Sequence, residues 1–261
     1  IGDYNNDGLV DFMFSNTGST LPRALAKGDI EDASRFNEKW LLFRNDGDFK
    51  FTDTANETKI ADYEFSWGCT FADMNNDGLQ DLMVAENYVD LAPNKLFRLK
   101  SRFLVQKEDG TFAPTEEESG VVNPHFGITA LVSDFNLDGY LDMIWVNIDS
   151  PSLAYINKGG TNNFIQINLE DNAQAIGAKV TVETNSKKLS EWLVTGEGLA
   201  SDQTALLHFG LDKDTEVKSV LVEYTNGKTD YIKTPKINSI VDVLAERNKQ
   251  IEQDSIMNIK N

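Results

Sequence analysis

The chain has 261 residues, 40% hydrophobic and 10% aromatic, with 24 Lys and Arg against 42 Asp and Glu and a formal net charge of −18. That composition supports a folded core and argues against wholesale disorder. The acidity argues against nucleic acid or an anionic membrane as partner, because both are held through clustered basic side chains. No apolar run approaches the ~18–20 residues that cross a bilayer, so membrane insertion is not expected. The acid excess is uneven. Residues 1–162 carry 13 basic and 27 acidic side chains, and the remaining 99 carry 11 and 15. A local excess points to a cation, with a solvated, solubilising surface as the plain alternative. Cys69 is the single cysteine; it excludes an intrachain disulfide and reads as a small core residue.

In chain order, a nine-residue pattern, D-x-N-x-D-G-x-x-D, opens the sequence at Asp3-Tyr-Asn5-Asn-Asp7-Gly8-Leu-Val-Asp11. A short buried strand is predicted at 12–14, and a polar, partly helical surface insertion at 21–37. Residues 40–52 predict a hairpin around Asp46-Gly47. A strand at 65–72 leads into the second copy, Asp73-Met-Asn75-Asn-Asp77-Gly78-Leu-Gln-Asp81, which is followed by a strand at 82–85. Residues 102–113 repeat the hairpin pattern around Asp109-Gly110, and Glu116-Glu-Glu118 reads as a solvated turn. A strand at 126–133 leads into the third copy, Asp134-Phe-Asn136-Leu-Asp138-Gly139-Tyr-Leu-Asp142, and a strand at 143–146 leaves it. Four short strands per period of roughly 60 residues match a propeller blade. After Gly159-Gly160, strands are predicted at 164–169, 178–183, 189–195, 203–209, 217–224 and 229–233, with a strong hairpin turn at Asn226-Gly227. Six or seven short strands in about 80 residues suggest a small β-sandwich or barrel. Residues 246–261 read as a polar tail or frayed helix.

The loop spacing carries chemistry. Oxygen ligands at positions 1, 3 and 5 alternate with outward residues, and glycine at position 6 permits a sharp turn around one ion. A carbonyl at position 7 and a carboxylate at position 9 complete a hard oxygen shell of the kind Ca²⁺ prefers. Without a cation, three carboxylates so close repel, and some are forced to protonate. With no Cys or His in any copy, a conventional structural zinc site is excluded. These are not EF-hands, because Phe14, Val84 and Trp145 stand where a bidentate Glu belongs. A metal-free, Asx-rich hairpin turn is the alternative.

The loops and their connecting hairpins resemble FG-GAP (VCBS-type) repeats, the blades of integrin-alpha-like propellers, over residues 1 to about 160. The resemblance implies three Ca²⁺ sites. Side-chain ligands would be Asp3, Asn5, Asp7 and Asp11; Asp73, Asn75, Asp77 and Asp81; and Asp134, Asn136, Asp138 and Asp142. Leu9, Leu79 and Tyr140 would add carbonyls. Such propellers usually have about seven blades, so further blades are expected from N-terminal sequence absent here or from another copy. Residues Ile176-Gly-Ala-Lys-Val180, Gly196-Glu-Gly198, Ser201-Asp-Gln203, Leu207-His-Phe-Gly-Leu211 and Val220-Leu-Val-Glu-Tyr224 resemble the ASPIC/UnbV domain. The expected architecture is therefore all-β. A partial propeller of about three blades (1–160) precedes a small sandwich-like β domain (161–245) and a polar tail (246–261).

No catalytic constellation emerges. His208, between Leu207 and Phe209 in a predicted strand, reads as structural. His125 lies in a predicted loop with no nucleophile motif beside it. No P-loop, G-x-S-x-G or dinucleotide fingerprint is present. Trp40, Trp67, Trp145 and Trp192 lie in strand-like runs, which favours core packing over sugar stacking. The expectation is a non-enzymatic module in which Ca²⁺ braces the loops. It would be extracellular, at the cell surface or periplasmic, and its partner an unidentified extracellular protein or glycan. The alternative is a polysaccharide-binding or polysaccharide-degrading protein that uses the propeller as a recognition scaffold.

Overall fold

The computed structural model describes residues 1–16, 32, 37, 39–63, 65–87, 99–148, 150–169 and 175–259. The insertion predicted at 21–37 lies outside them, apart from two isolated positions. Three antiparallel sheets follow one another in the first part of the chain. The first orders β1 (Phe12–Phe14), β2 (Leu41–Asn45) and β3 (Phe51–Asp53) side by side. The second is β4 (Ser66–Ala72), β5 (Asp81–Glu86), β6 (Arg102–Gln106) and β7 (Phe112–Pro114). The third is β8 (Gly127–Ser133), β9 (Asp142–Asn147) and β10 (Leu153–Tyr155).

Their stacking follows from strand alternation. β5 is buried along its whole length, and its side chains point alternately to two different neighbours. Leu82 and Val84 pack with Trp40, Leu42, Met13, Leu104 and Phe112, between the first and second sheets. Met83 and Ala85 pack with Ala130, Val132, Met143 and Trp145, between the second and third. An uninterrupted apolar run on a central strand is thus the signature of a sheet covered on both faces. Trp40 and Trp145 are fully buried, and their indole N–H groups donate to Ser66 Oγ (2.5 Å) and the Val121 carbonyl (3.0 Å).

The C-terminal part is a two-sheet sandwich. It contains β11 (Asn163–Asn168), β12 (Lys179–Thr184), β13 (Lys188–Trp192), β14 (Leu206–Asp212), β15 (Val217–Glu223), β16 (Thr229–Lys233) and β17 (Ile240–Asp242). One sheet runs β14-β11-β17 and the other β13-β12-β15-β16. Ile165, Ile167, Phe209 and Leu211 from the first meet Val180, Val182, Val220 and Val222 from the second. β17 pairs with β11 in parallel, an element the sequence reading lacked, as it lacked β10. A helix, α2, spans Val243–Ile259. The all-β reading holds.

One expectation fails. The acidic run at 116–118 is not simply a solvated turn. It opens the short helix α1 (Glu116–Ser119), whose first residue is buried. Arg102, on β6, explains why: it donates from Nη1 to Glu116 (3.0 Å) and from Nε to the fully buried Glu86 (2.5 Å). A buried carboxylate is tolerable when a guanidinium bridges it, and no local pattern announces that partner.

Candidate metal centre

All three loops close in the same way. Asp3 Oδ1 accepts from the N–H of Asp7 (2.9 Å) and Oδ2 from that of Gly8 (2.8 Å). Asp7 Oδ1 accepts from the Leu9 N–H (2.8 Å), and Asn5 Nδ2 donates to Asp7 Oδ2 (2.7 Å). Asp11 takes the N–H groups of Tyr4 (3.2 Å) and of Asn45 on β2 (2.8 Å), and so ties the loop to the hairpin that follows. In the second loop, Asp73 caps Asp77 (3.1 Å) and Gly78 (2.7 Å), Asp77 caps Leu79 (2.8 Å), and Asn75 donates to Asp77 (3.0 Å). Asp81 caps Met74 (3.1 Å) and Gln106 (3.0 Å). In the third, Asp134 caps Asp138 (3.0 Å) and Gly139 (2.8 Å), Asp138 caps Tyr140 (2.9 Å), and Asn136 donates to Asp138 (2.9 Å). Asp142 caps Phe135 (2.8 Å) and Asn157 (2.7 Å). Position 6 needs glycine because φ is +83°, +80° and +89° at Gly8, Gly78 and Gly139.

The carboxylates at positions 1 and 9 are buried in every copy, and in the first two loops burial dominates their protonation. It pushes Asp3 up to about 6 and Asp11 and Asp73 up to about 7, against an ordinary 3.8, despite the opposing backbone hydrogen bonds. Asp81 is likewise raised well above the ordinary carboxylate range, again by burial, with the Asp73 charge adding to it. The donor set is all oxygen and fits a hard divalent cation, and unneutralised buried carboxylates are what a cation would relieve. Among the described residues, no three His, Cys, Asp or Glu side chains converge closely enough to hold a metal ion in the arrangement seen. The position-1 and position-9 carboxylates, and position 5, face backbone N–H groups instead. The position-7 residues Leu9, Leu79 and Tyr140 meet their loops as N–H donors.

The structure joins the loops in a row. Asn6 Nδ2 donates to the Gly78 carbonyl (2.9 Å), and Asn76 Nδ2 to that of Gly139 (2.9 Å). Gln106 reaches back to the Tyr4 carbonyl (2.8 Å) and Asn157 to that of Met74 (2.8 Å). The C-terminal sandwich then sits on the row. Lys179 Nζ donates to the Gly8 carbonyl (2.6 Å), Lys187 Nζ to that of Asp77 (2.8 Å), and Gln166 Nε2 to Asp134 Oδ2 (3.1 Å). The Asp212 N–H meets the Asn76 carbonyl (2.8 Å).

His208 lies at the centre of this contact. Its Nδ1 is 3.2 Å from Gln166 Nε2, a donor, and its Nε2 is 2.6 Å from Asn76 Oδ1, an acceptor. The network therefore assigns the neutral tautomer with the proton on Nε2. Burial agrees, pushing the imidazole down to about 3. Gln203 performs a similar service for β8: its Oε1 accepts from the Val132 N–H (2.9 Å) and its Nε2 donates to the Ala130 carbonyl (3.1 Å), in the manner of a peptide group on a strand edge. His125 is half-buried on a loop beside Lys100 and Arg102, in a cavity whose described lining residues carry no hydroxyl or thiol.

Sequence reasoning named the loop residues and missed Gln166, Lys187 and the roles of Lys179 and His208. The available signal was indirect. Lys179, Gln203, His208 and Gly210 all fall within the short segments that resemble the ASPIC/UnbV domain, and those segments supply much of the surface that touches the loops.

Comparison with known proteins agrees with both halves. Residues 3–84 match the FG-GAP-like repeat, and residues 168–251 match ASPIC and UnbV. The chain is similar to cartilage acidic protein 1 of Homo sapiens, with 28% identity over 268 residues, covering 97% of this chain and 37% of that protein. It is likewise similar to cartilage acidic protein 1 of Mus musculus (28%, covering 94% and 36%) and of Xenopus tropicalis (27%, covering 93% and 36%). The chain thus spans little more than a third of the length of these relatives. Among the described residues, no helix is long and apolar enough to cross a membrane.

Proposed function

We propose that this chain, which joins an FG-GAP-like repeat to an ASPIC and UnbV domain, is a non-catalytic extracellular interaction module whose three loops bind Ca²⁺ for structural ends. The observation that carries the reading is the threefold recurrence of two buried carboxylates in one turn, Asp3/Asp11, Asp73/Asp81 and Asp134/Asp142, which in the first two loops are raised toward protonation. Bound there, a divalent cation would supply neutralising charge. The protein's own part is to present the first, fifth and ninth carboxylates on a turn fixed by glycine, and to tie each loop to its hairpin through Asn45, Gln106 and Asn157. Because such a site is not preformed in the unfolded chain, binding would add directly to stability.

Non-enzymatic action is supported by the two histidines. His208 is locked as a neutral hydrogen-bonding bridge, and none of the described residues lining the His125 cavity carries a hydroxyl or thiol. The carbohydrate alternative draws nothing from Trp40 and Trp145, whose rings are fully buried. The partner would be an extracellular protein or glycan. The outer face of the first sheet, where Phe12, Phe14, Phe43 and Phe51 are in ring contact and partly exposed, suits a further blade from outside these residues or a second copy.

Thermal unfolding in CaCl₂ and in chelator tests the metal reading. At a free Ca²⁺ concentration 100 times Kd, each occupied loop adds about 2.7 kcal/mol, so the midpoint should rise clearly. An unchanged midpoint overturns the proposal.

A further inference from the structure

The C-terminal sandwich covers the motif glycine of every loop, but with one chemistry over the first two and another over the third. Over the first loop, the Lys179 ammonium sits on the Gly8 carbonyl (2.6 Å) and would lie 3.5 Å from a Cβ placed on that glycine. Over the second, the Lys187 ammonium sits on the adjoining Asp77 carbonyl (2.8 Å) and would lie 3.2 Å from a Cβ on Gly78. Over the third, the cover is the Phe164 ring, which a Cβ on Gly139 would meet at 1.9 Å, together with the neutral Gln166 amide on Asp134. Two loops therefore carry a tethered positive charge at the turn that wraps the candidate ion, and the third carries an aromatic ring and an amide.

We infer that Lys179 and Lys187 rank the three loops, weakening divalent-cation binding at the first two and leaving Asp134–Asp142 as the tightest site. The inference rests on the Ca²⁺ reading of the loops and adds a property that their near-identical motifs do not contain. A fixed ammonium and an incoming dication repel across a few ångströms of partly buried protein. With an effective dielectric between those of surface and water, that repulsion is worth on the order of tenfold in affinity per lysine. Because the ammonium groups are not fully desolvated, salt screens part of the penalty. The first two sites should therefore approach the third as ionic strength rises. Lys179 is also held over the Trp192 ring (5.1 Å to the centroid), so it cannot swing away without losing that contact as well.

Calorimetric titration of the 261-residue chain with CaCl₂ at pH 7.5 and low salt tests the ranking. The expected isotherm has one site about tenfold or more tighter than the other two. Asp138→Asn, a change at an exposed position in the third loop, should remove the tight phase and spare the weak ones. The pair Lys179→Met and Lys187→Met should raise the weak affinities about tenfold, whereas Lys179→Arg with Lys187→Arg should leave them as they were. If the Met pair loses the native circular dichroism spectrum, titration of the unmodified chain in 0.5 M NaCl decides, with the gap between phases expected to narrow. Three equal sites, a tight phase that survives Asp138→Asn, or a gap indifferent to salt overturns the ranking while leaving Ca²⁺ binding intact. No binding heat at any Ca²⁺ concentration overturns the Ca²⁺ reading itself, and the ranking with it.

Discussion

Gly210 measures how tightly the two halves of the chain are fitted. It lies on β14 in ordinary strand geometry, and a Cβ there would come within 2.0 Å of Asp73 Oδ2 and 2.5 Å of the Asn76 backbone. Ordinary contact begins at 3.4 Å, so Gly210→Ala requires the strand and the second loop to part by about 1.4 Å. The two bonds beside it, from the Asp212 N–H to the Asn76 carbonyl (2.8 Å) and from His208 to Asn76 (2.6 Å), would then stretch to about 4 Å and fail. Each strands a buried polar group at roughly 1–3 kcal/mol, and the overpacking adds roughly 1–3 kcal/mol. The expected loss is therefore roughly 3–9 kcal/mol, a fall of at least about 6 °C in the unfolding midpoint at about 2–4 °C per kcal/mol for a chain of this size. Differential scanning calorimetry provides the assay, with Gly47→Ala as its control. Gly47 has φ +79° but open space around it, so alanine there should cost only about 1 kcal/mol of backbone strain. A midpoint within 2 °C of the parent for Gly210→Ala, or an equal loss in both variants, would refute the claim that the sandwich is wedged against the loop.

Three further outcomes follow from the same contacts. In chelator, the midpoint should rise as pH falls from 7.5 to 5.5. Asp3, Asp11 and Asp73, raised by burial to about 6, 7 and 7, contribute stability that is complete below about pH 4 and lost as pH climbs through those values. His208, lowered to about 3 by burial, acts oppositely, its contribution present above pH 6.5 and fading below it. The carboxylates outnumber the imidazole three to one, so even halved by solvent screening they set the sign. In millimolar CaCl₂ the rise should vanish, and a falling midpoint in chelator would contradict the assignment. Arg102→Met should destabilise by about 3–5 kcal/mol in urea unfolding, since it leaves Glu86 and Glu116 buried without their shared counter-charge; a loss under 1 kcal/mol would show that the pair is not desolvated. Gln203→Ala should cost roughly 2–4 kcal/mol through the exposed edge of β8, and proteolysis between residues 194 and 204 should quicken with it; resistance equal to the parent would argue against the strand-edge role.

The repeats were legible because their determinants are local. A nine-residue spacing fixes which side chains cap which N–H groups, and the uninterrupted apolar run on β5 announces a strand covered on both sides. Burial of Glu116 was not legible, because it depends on Arg102, which reaches it from the neighbouring strand β6. The C-terminal strands could be read from periodicity, apart from the short β17, whose pairing with β11 is parallel and non-local. What periodicity could not convey was the purpose of the motif residues. His208 read as a core histidine and is indeed buried, but it is buried where the C-terminal sandwich meets the loops, bonded on both ring nitrogens.

The motif glycine has two separate reasons to be glycine. Its positive φ is required by the turn, as the pattern D-x-N-x-D-G already implies. At Gly78 and Gly139 the space above it is also occupied, by the Lys187 side chain and the Phe164 ring. A residue able to adopt the left-handed conformation, such as Asn, would meet the first requirement and fail the second. Gly210 supplies the matching concession from the opposite surface, with ordinary φ and no room for a Cβ. Two surfaces that each give up side chains where they meet are fitted to one another. The short segments of the sandwich that surround Gly210, Gln203 and Lys179 are therefore better understood as the negative of the loops than as parts of an independent domain.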